Sequence, residues 1–399
     1  MRIGMMADLY KPHLSGVTNY IEVNKRFLER AGHQVYVFTM GDAEYRDDEP
    51  NVIRSPGIPI TDTGFHLNFF YAPKAKALLQ TMDVVHVHHP FISGLLGLRY
   101  CQPKSIPLVF TNHTRYDIYA QTYAPMFPSS WSTSLLEAYL PPFCAALDRV
   151  ISPSEGMAQV LRQLKVVTPI DVIPNGVDIE RFIKVEEPLP RSDFGFEDDD
   201  LLLIYAGRVA PEKSLPLLIQ AFTGVAGTIE KARLLILGSG PALEEVKKVS
   251  AASPASSRIH LVGRVAYDEV PRYLAMCDAF VTASVSEVHP LSIIEAMAAG
   301  LPVVGIDSPG VTDTVEDGTT GYLAVNDAAA LAAKMTRLCL ERGQRKRLGA
   351  AARKASRRYD INRTGIQVLE HYEELAASRP RHERGISRRL RLILERFRP

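Results

Sequence analysis

The sequence predicts an α/β fold made of two doubly wound units in tandem, and three observations predict it. Short apolar runs alternate with stretches of helical length, the pattern of a parallel sheet with crossover helices. The alternation breaks at a segment rich in proline and acidic residues and then begins again. At 399 residues, the chain is also too long for one ordinary core.

In the first half the strand candidates are RIGMM from Arg2, HQVYVFTM from His33, DVVHVHH from Asp83, PLVFTNH from Pro107, RVISPS from Arg149 and PIDVIPNG from Pro169. The stretch VTNYIEVNKRFLERAG between the first two reads as a helix, with Gly32 as its closing residue. Glu186–Asp200 is the linker candidate. The second half brings LLLIYAGR, ARLLILGSG, IHLVGR, DAFVTAS and LPVVGID, each followed by a turn and a helix-like stretch. The expected domains are therefore residues 1–185 and 186–360. A helical segment at 361–378 and a basic tail at 379–399 follow.

Composition narrows the classes of function. An apolar fraction of 46% and a net charge of +1 describe a globular protein rather than a disordered or polybasic one, and point away from nucleic acid. The four cysteines, Cys101, Cys144, Cys277 and Cys339, have no metal-ligand spacing and read as buried thiols of a reducing compartment. The opening MRIGMMADLY lacks the form of a signal peptide, and no apolar run is long enough to span a bilayer. A cytoplasmic location follows as an expectation, with any membrane contact peripheral and on the inner face.

The most informative stretch is SEVHPLSIIEAMAAG, Ser286–Gly300. A loop carrying Glu287, His289 and Pro290 runs directly into an apolar helix, and the proline suits a helix start because its missing N–H costs nothing there. The first turn, at Leu291 and Ser292, offers free N–H groups and partial positive charge to a phosphate. Glu287 lies before that terminus and Glu295 a little over one turn inside it, so both can face one ligand. A phosphate seat between two carboxylates suits a sugar nucleotide.

Other candidates follow strand ends. Arg208 and Lys213 occupy a strand-to-helix loop where an anion would be gripped, or are two solvated surface charges. Gly16 allows close backbone approach at a helix start, or is an ordinary turn glycine. His113 hydrogen-bonds a sugar hydroxyl, handles a proton, or caps a strand end. Asp8, Tyr10, Tyr116 and Tyr119 are acceptor-side candidates or ordinary loop polarity. In DVVHVHH, His86 and His88 share one strand face and His89 takes the other; without carboxylates at ligand spacing they read as structural rather than metal-binding. Gly238 and Gly240 lack the full dinucleotide-binding spacing and read as a turn. Gly310 and Thr312 are weaker candidates in the loop after LPVVGID, and DGTTGYL reads as a structural turn.

VIPNGVDIERF, AGRVAPEKSL, LGSGP and EVHPLSIIEAMAAGLPVV occur in the order found in the retaining glycosyltransferases of family 4, and the chain resembles that family along nearly its whole length. The resemblance implies the GT-B fold, in which two Rossmann-like domains face each other across a cleft and a C-terminal helix crosses back to the N-terminal domain. It implies a nucleotide-sugar donor, with UDP-hexose first, and retention of anomeric configuration with no cofactor and no essential metal. Arg208 and Lys213 would hold the donor diphosphate, Glu295 ribose hydroxyls, and Glu287 and His113 the sugar. Two departures stand out. Ser15 replaces the first glycine of the usual pair before Gly16, and Val288-His289-Pro290 replaces Gly-Phe-Gly, so His289 would take up a donor contact in its place.

The acceptor is a saccharide or a lipid such as diacylglycerol. Favouring the lipid, residues 379–399 carry Arg379, Arg381, Arg384, Arg388, Arg389, Arg391, Arg396 and Arg398, with an apolar stripe from Ile386 to Phe397. Such a helix can lie on an anionic membrane surface, or can dock on the N-terminal domain. The run Ser129–Leu147 borders a lipid channel or packs in the core. A soluble-acceptor transferase, a nucleotide-sugar epimerase and a non-catalytic nucleotide-sugar binder are the other functions compatible with these residues.

Overall fold

The computed structural model describes residues 1–13, 15–42, 44–60, 66–116, 118 and 129–378, without the side chains of 129–133. The chain divides into two units. The first comprises residues 1–176 and the terminal helix from Ile361, the second residues 177–360.

The first unit contains strands β1 (Arg2–Ala7), β2 (Gln34–Gly41), β3 (Val52–Pro56), a short antiparallel pair β4 (Ile58–Pro59) and β5 (His66–Leu67), then β6 (Val84–Val87), β7 (Leu108–Thr111), β8 (Arg149–Ser152) and β9 (Ile170–Val172). Its seven-stranded sheet runs β3-β2-β1-β6-β7-β8-β9, and every pairing is parallel. The second unit holds β10 (Leu201–Ala206), β11 (Ala232–Leu237), β12 (Ile259–Gly263), β13 (Ala279–Val281), β14 (Val303–Ile306) and β15 (Gly321–Ala324) in the order β12-β11-β10-β13-β14-β15, again all parallel. In both sheets the chain winds outward from its first strand, then returns past it to build the other half. The strand order reverses between β1 and β6 and between β10 and β13, the places where doubly wound sheets open a crevice at their carboxyl ends.

Continuous apolar runs become central strands because helices cover both faces. On β10, Leu203 and Tyr205 enter one core cluster, with Phe222 and Leu234, while Leu202, Ile204 and Ala206 enter the other, with Phe280 and Ile294. In the first unit Ile3, Met5 and Ala7 of β1 pack with Val368 and Tyr372 of the terminal helix Ile361–Ala377. That helix therefore returns to the first unit, and Gly365 lets it approach Phe27 on the helix Gly16–Arg30, where a Cβ would lie 2.6 Å from the ring.

Three expectations change. The boundary falls at Gly176/Val177 rather than 185/186, because Val177, Ile179 and Phe182 are buried in the core of the second unit and Val177 pairs with Asp360. β3 is an additional strand with no apolar run to mark it: VIRSP is mixed in polarity and ends in proline, as suits an edge strand. DGTTGYL is a turn followed by β15, a short strand at the opposite edge of its sheet. All four cysteines are buried free thiols.

Candidate active site

In the second unit the candidate residues gather after β10 and β13, the two strands that flank the reversal. β10 leads into Gly207, Arg208 and Val209, then a single 3-10 turn at Pro211–Lys213 and the helix Leu215–Thr228. This loop is braced from two sides. The Tyr205 hydroxyl donates to the Arg208 carbonyl at 2.8 Å, and Val209 N–H donates to Ser239 O at 3.0 Å. Gly238 and Gly240 serve the bracing. A Cβ on Gly238 would sit 1.8 Å from Gly207 O, and one on Gly240 would sit 2.2 Å from Val209 O. Their role is to let two backbones touch beneath Arg208. The Arg208 side chain is exposed, and no carboxylate among the described residues pairs with it.

β13 leads into the loop Thr282–Pro290 and the helix Leu291–Ala299. Pro290 is the residue before the helix. Its carbonyl accepts from Ile293 and Ile294, and no side chain caps the first turn. The N–H groups of Leu291 and Ser292 thus have no acceptor within the helix, as geometry dictates for any helix start. Glu287 precedes this terminus, and its Oε1 accepts from Lys213 Nζ at 2.7 Å. Under the loop, Gly310 lies so close that a Cβ would meet Glu287 O at 2.2 Å, and Ser286 Oγ donates to Glu212 O at 3.3 Å. Gly310 is thus a support for the Glu287 loop, while Thr312 bonds Asp307 at 2.8 Å.

Glu295 is 5% exposed, and its Oε1 accepts from the Tyr267 hydroxyl at 2.7 Å. Burial pushes its carboxyl up to about 7, against the lowering effects of the Tyr267 bond and Arg181. Tyr267, in the turn after β12, went unseen in the sequence because only folding carries it to Glu295. The two carboxylates thus differ in setting: Glu287 is salt-bridged, Glu295 enclosed. His289 has an interior setting. It is buried, edge-on to the Tyr359 ring with centroids 4.9 Å apart, and burial with nearby Arg358 lowers it to about 3. Its ring packs inward, a neutral part of the unit's interior.

In the first unit Ser15, the residue that departs from the expected glycine, is the N-cap of the helix Gly16–Arg30: its hydroxyl accepts from Thr18 N–H at 3.1 Å. Open space surrounds the position of a Cβ on Gly16. His113, just past β7, is partly buried, with Nε2 3.1 Å from Nδ1 of His88. Burial, then His86 and His89, hold it well below the usual histidine range. Asp8 and Tyr10 each hold a partner within the first unit. Asp8 accepts from Ser93 N–H at 2.6 Å at the start of the helix Ile92–Cys101, and Tyr10 donates to Glu49 at 2.6 Å. Glu49 also pairs with Lys11 at 3.2 Å and with fully buried Lys25 at 3.3 Å, so Tyr10 belongs to a structural ion network. Tyr116 lies edge-on to Phe91; Tyr119 and the tail 379–399 lie outside the described residues. In the helix Ser129–Ala145, Leu136, Leu140, Phe143 and Cys144 are buried, so this face packs in the core. A surface depression of about 630 Å³ near Phe196, Arg233 and His260 lies toward the amino ends of β11 and β12 and holds no candidate residue.

The two halves match two families separately. Residues 14–181 match "Glycosyltransferase Family 4", and residues 188–355 match "Glycosyl transferases group 1". The alpha-monoglucosyldiacylglycerol synthase of Streptococcus pneumoniae is 30% identical over 81% of this chain and 75% of its own length. The protein of the same name from Acholeplasma laidlawii is 32% identical over 80% and 84%. Among solved structures, sucrose-phosphate synthase from Thermosynechococcus elongatus superposes with a TM-score of 0.78 at 21% identity, covering 95% of this chain and 100% of that one. Anabaena HepE in complex with UDP-glucose gives 0.73 at 19% identity, over 94% and 100%. These likenesses establish the GT-B fold. With both halves matched and close relatives aligned over most of their length, the chain belongs to the family 4, group 1 glycosyltransferases and is a hexosyltransferase that uses a nucleotide-sugar donor.

Proposed function

We propose that this enzyme moves a hexose, glucose first, from a UDP-sugar to the free hydroxyl of diacylglycerol with retention of anomeric configuration. The observation that carries the reading is the 30% and 32% identity to two proteins named as alpha-monoglucosyldiacylglycerol synthases. The fold neighbour solved with UDP-glucose supports the donor class.

In this reading the second unit holds the nucleotide. Arg208, Lys213 and the N–H groups of Leu291 and Ser292 stabilise charge growing on the diphosphate as it leaves. Glu295 accepts hydrogen bonds from ribose hydroxyls, and Glu287 orients the sugar while holding Lys213. His113 of the first unit contacts a sugar hydroxyl. The acceptor oxygen bonds to the anomeric carbon on the face the diphosphate leaves. The anomeric C–O bond breaks with its electron pair going to the diphosphate, and the acceptor proton passes to a phosphate oxygen. Positive side chains supply the electrostatics, so no divalent ion is required and chelator leaves the rate unchanged. The enzyme would work at the inner face of the membrane; among the described residues no helix is long and apolar enough to cross one.

The test is radiolabelled UDP-glucose with diacylglycerol in anionic vesicles, alongside GDP- and ADP-glucose and soluble saccharides. The expected product is a labelled lipid whose anomeric proton coupling shows the α linkage. Label only on soluble sugars, or an inverted linkage, overturns the reading.

A further inference from the structure

His86, His88 and His113 are brought together in the first unit from two adjacent strands, with Tyr20 set edge-on to all three rings at 6.4, 5.5 and 4.7 Å. His86 is held at both nitrogens. Nδ1 meets the hydroxyl of Tyr372 on the terminal helix, and Nε2 lies 2.7 Å from Thr111 Oγ1. The His88 ring packs 4.2 Å from that of His86, and its Nδ1 lies 3.1 Å from His113 Nε2. The other nitrogen of His88, Nε2, is buried with no partner among the described residues.

Burial keeps His86, His88 and His113 neutral at pH 7. A neutral imidazole carries one N–H, so in the His88–His113 pair one ring donates and the other accepts. Were His113 the donor, His88 would carry its proton on Nε2, a buried N–H with no acceptor, at a cost of about 1–3 kcal/mol. With the proton on His88 Nδ1, only a lone pair is left unused, which interiors tolerate better than an orphaned N–H. That arrangement makes His113 Nε2 the acceptor and leaves the His113 proton on Nδ1, which has no partner among the described residues.

We propose that His88 is a positioning residue: it donates from Nδ1 to His113 Nε2 and fixes His113 as the Nδ1–H tautomer, a hydrogen-bond donor to a sugar oxygen rather than a base. The tautomer stands on the geometry and burial of the pair, whereas its use on a sugar rests on the proposed role of His113. His86, clamped between Tyr372 and Thr111, is the wall that holds the His88 ring in place.

Two readouts separate these parts. In uniformly 15N-labelled full-length protein, two-bond 1H–15N spectra report each histidine tautomer without any need for substrate, with His113→Asn used to assign the His113 signals. The expected pattern has Nδ1 protonated on both His88 and His113; an Nε2–H pattern on His113, or rapid exchange between tautomers, overturns the proposal. For turnover, asparagine can place an amide N–H near the position of Nδ1, whereas glutamine replaces Nε2. His113→Asn is expected to keep at least about tenfold more kcat/KM than His113→Gln, and equal losses overturn the donor role. His88→Leu is expected to lower kcat about tenfold with donor KM unchanged, and His88→Asn, which restores a donor, to recover most of it. Wild-type turnover in His88→Leu overturns the positioning role even where the spectra agree.

Discussion

Lys213 Nζ donates to Glu287 Oε1 across 2.7 Å, joining the loop after β10 to the loop after β13. Both side chains are largely covered, at 18% and 17% exposure. The pair therefore sets the position of a cation and of a carboxylate at the same time, on the loops that follow the two strands where the sheet order reverses.

Removing either partner should damage catalysis far more than folding. Lys213→Ala and Glu287→Ala are each expected to lower kcat/KM by about 10²–10³, the scale of losing one preorganised electrostatic contact. Circular dichroism and thermal midpoints should stay near wild type. Wild-type turnover in either purified variant would defeat the site assignment.

Glu295 should make stability fall with rising pH. Its folded value near 7 lies above the ordinary 4.5, so the folded state holds this proton more tightly than the unfolded state. The contribution is fully present below about 4.5 and is lost as pH rises to about 7, a swing of roughly 3 kcal/mol. Glu295→Gln keeps an acceptor for Tyr267 and removes the titration. Urea unfolding of both proteins from pH 5 to 8 should show the variant gaining relative stability as pH rises. Donor KM should increase about tenfold if ribose hydroxyls are its partners. Parallel stability curves would show that burial does not hold the carboxyl neutral.

The buried histidines act in the opposite sense. His86 and His289 are lowered to about 3, and His88 and His113 well below the ordinary 6.5. Their unfolded states take up protons first, so the stability they contribute above 6.5 drains away as pH falls, towards 3 for His86 and His289. For His86 and His289 the loss is about 1.4 kcal/mol per pH unit below 6.5. Against four such groups Glu295 is outweighed, and the urea midpoint of the whole protein should drop between pH 7 and 5. A midpoint that is flat or rises over that range would contradict their neutral burial.

Gly310 offers a test from backbone contact alone. A Cβ there would lie 2.2 Å from Glu287 O, with backbone rather than a flexible side chain in the way. Gly310→Ala should therefore displace the Glu287 loop, cost about 1–3 kcal/mol of stability, and lower turnover at least tenfold. An alanine variant with unchanged kcat would mean that the loop position is not critical.

Deleting residues 379–399 addresses the acceptor surface. Eight arginines in this segment are expected to draw it to anionic vesicles, at about 1 kcal/mol per basic residue near the surface. Flotation should be lost on truncation and weakened by salt in the full-length protein. Indifferent flotation would sink the membrane role of the tail.

The sequence by itself determined the paired doubly wound units, the strands at their centres and the helix start at Pro290. Those features are local: apolar runs show which segments must be covered on both faces, and proline shows where a helix can begin. It also singled out Arg208 and Lys213 through their places after a strand, and Glu287 and Glu295 through their places about a helix start. The edge strands β3 and β15 were less legible, because β3 is mixed in polarity and β15 is four residues long and follows directly on a glycine-rich turn. Partnerships were not legible at all. Lys213 finds Glu287 because β10 and β13 are neighbours in the sheet, though 74 positions separate the residues. Glu295 becomes an enclosed carboxyl only when Tyr267 folds over it, and His289 turns from a loop residue into an interior one. His88, read from sequence as structural, touches His113 because β6 and β7 pair, and Tyr372 reaches His86 from 286 residues away when the terminal helix returns to the first sheet. Strand order and helix return bring these groups together, and burial then sets their protonation, which no local pattern of residues encodes.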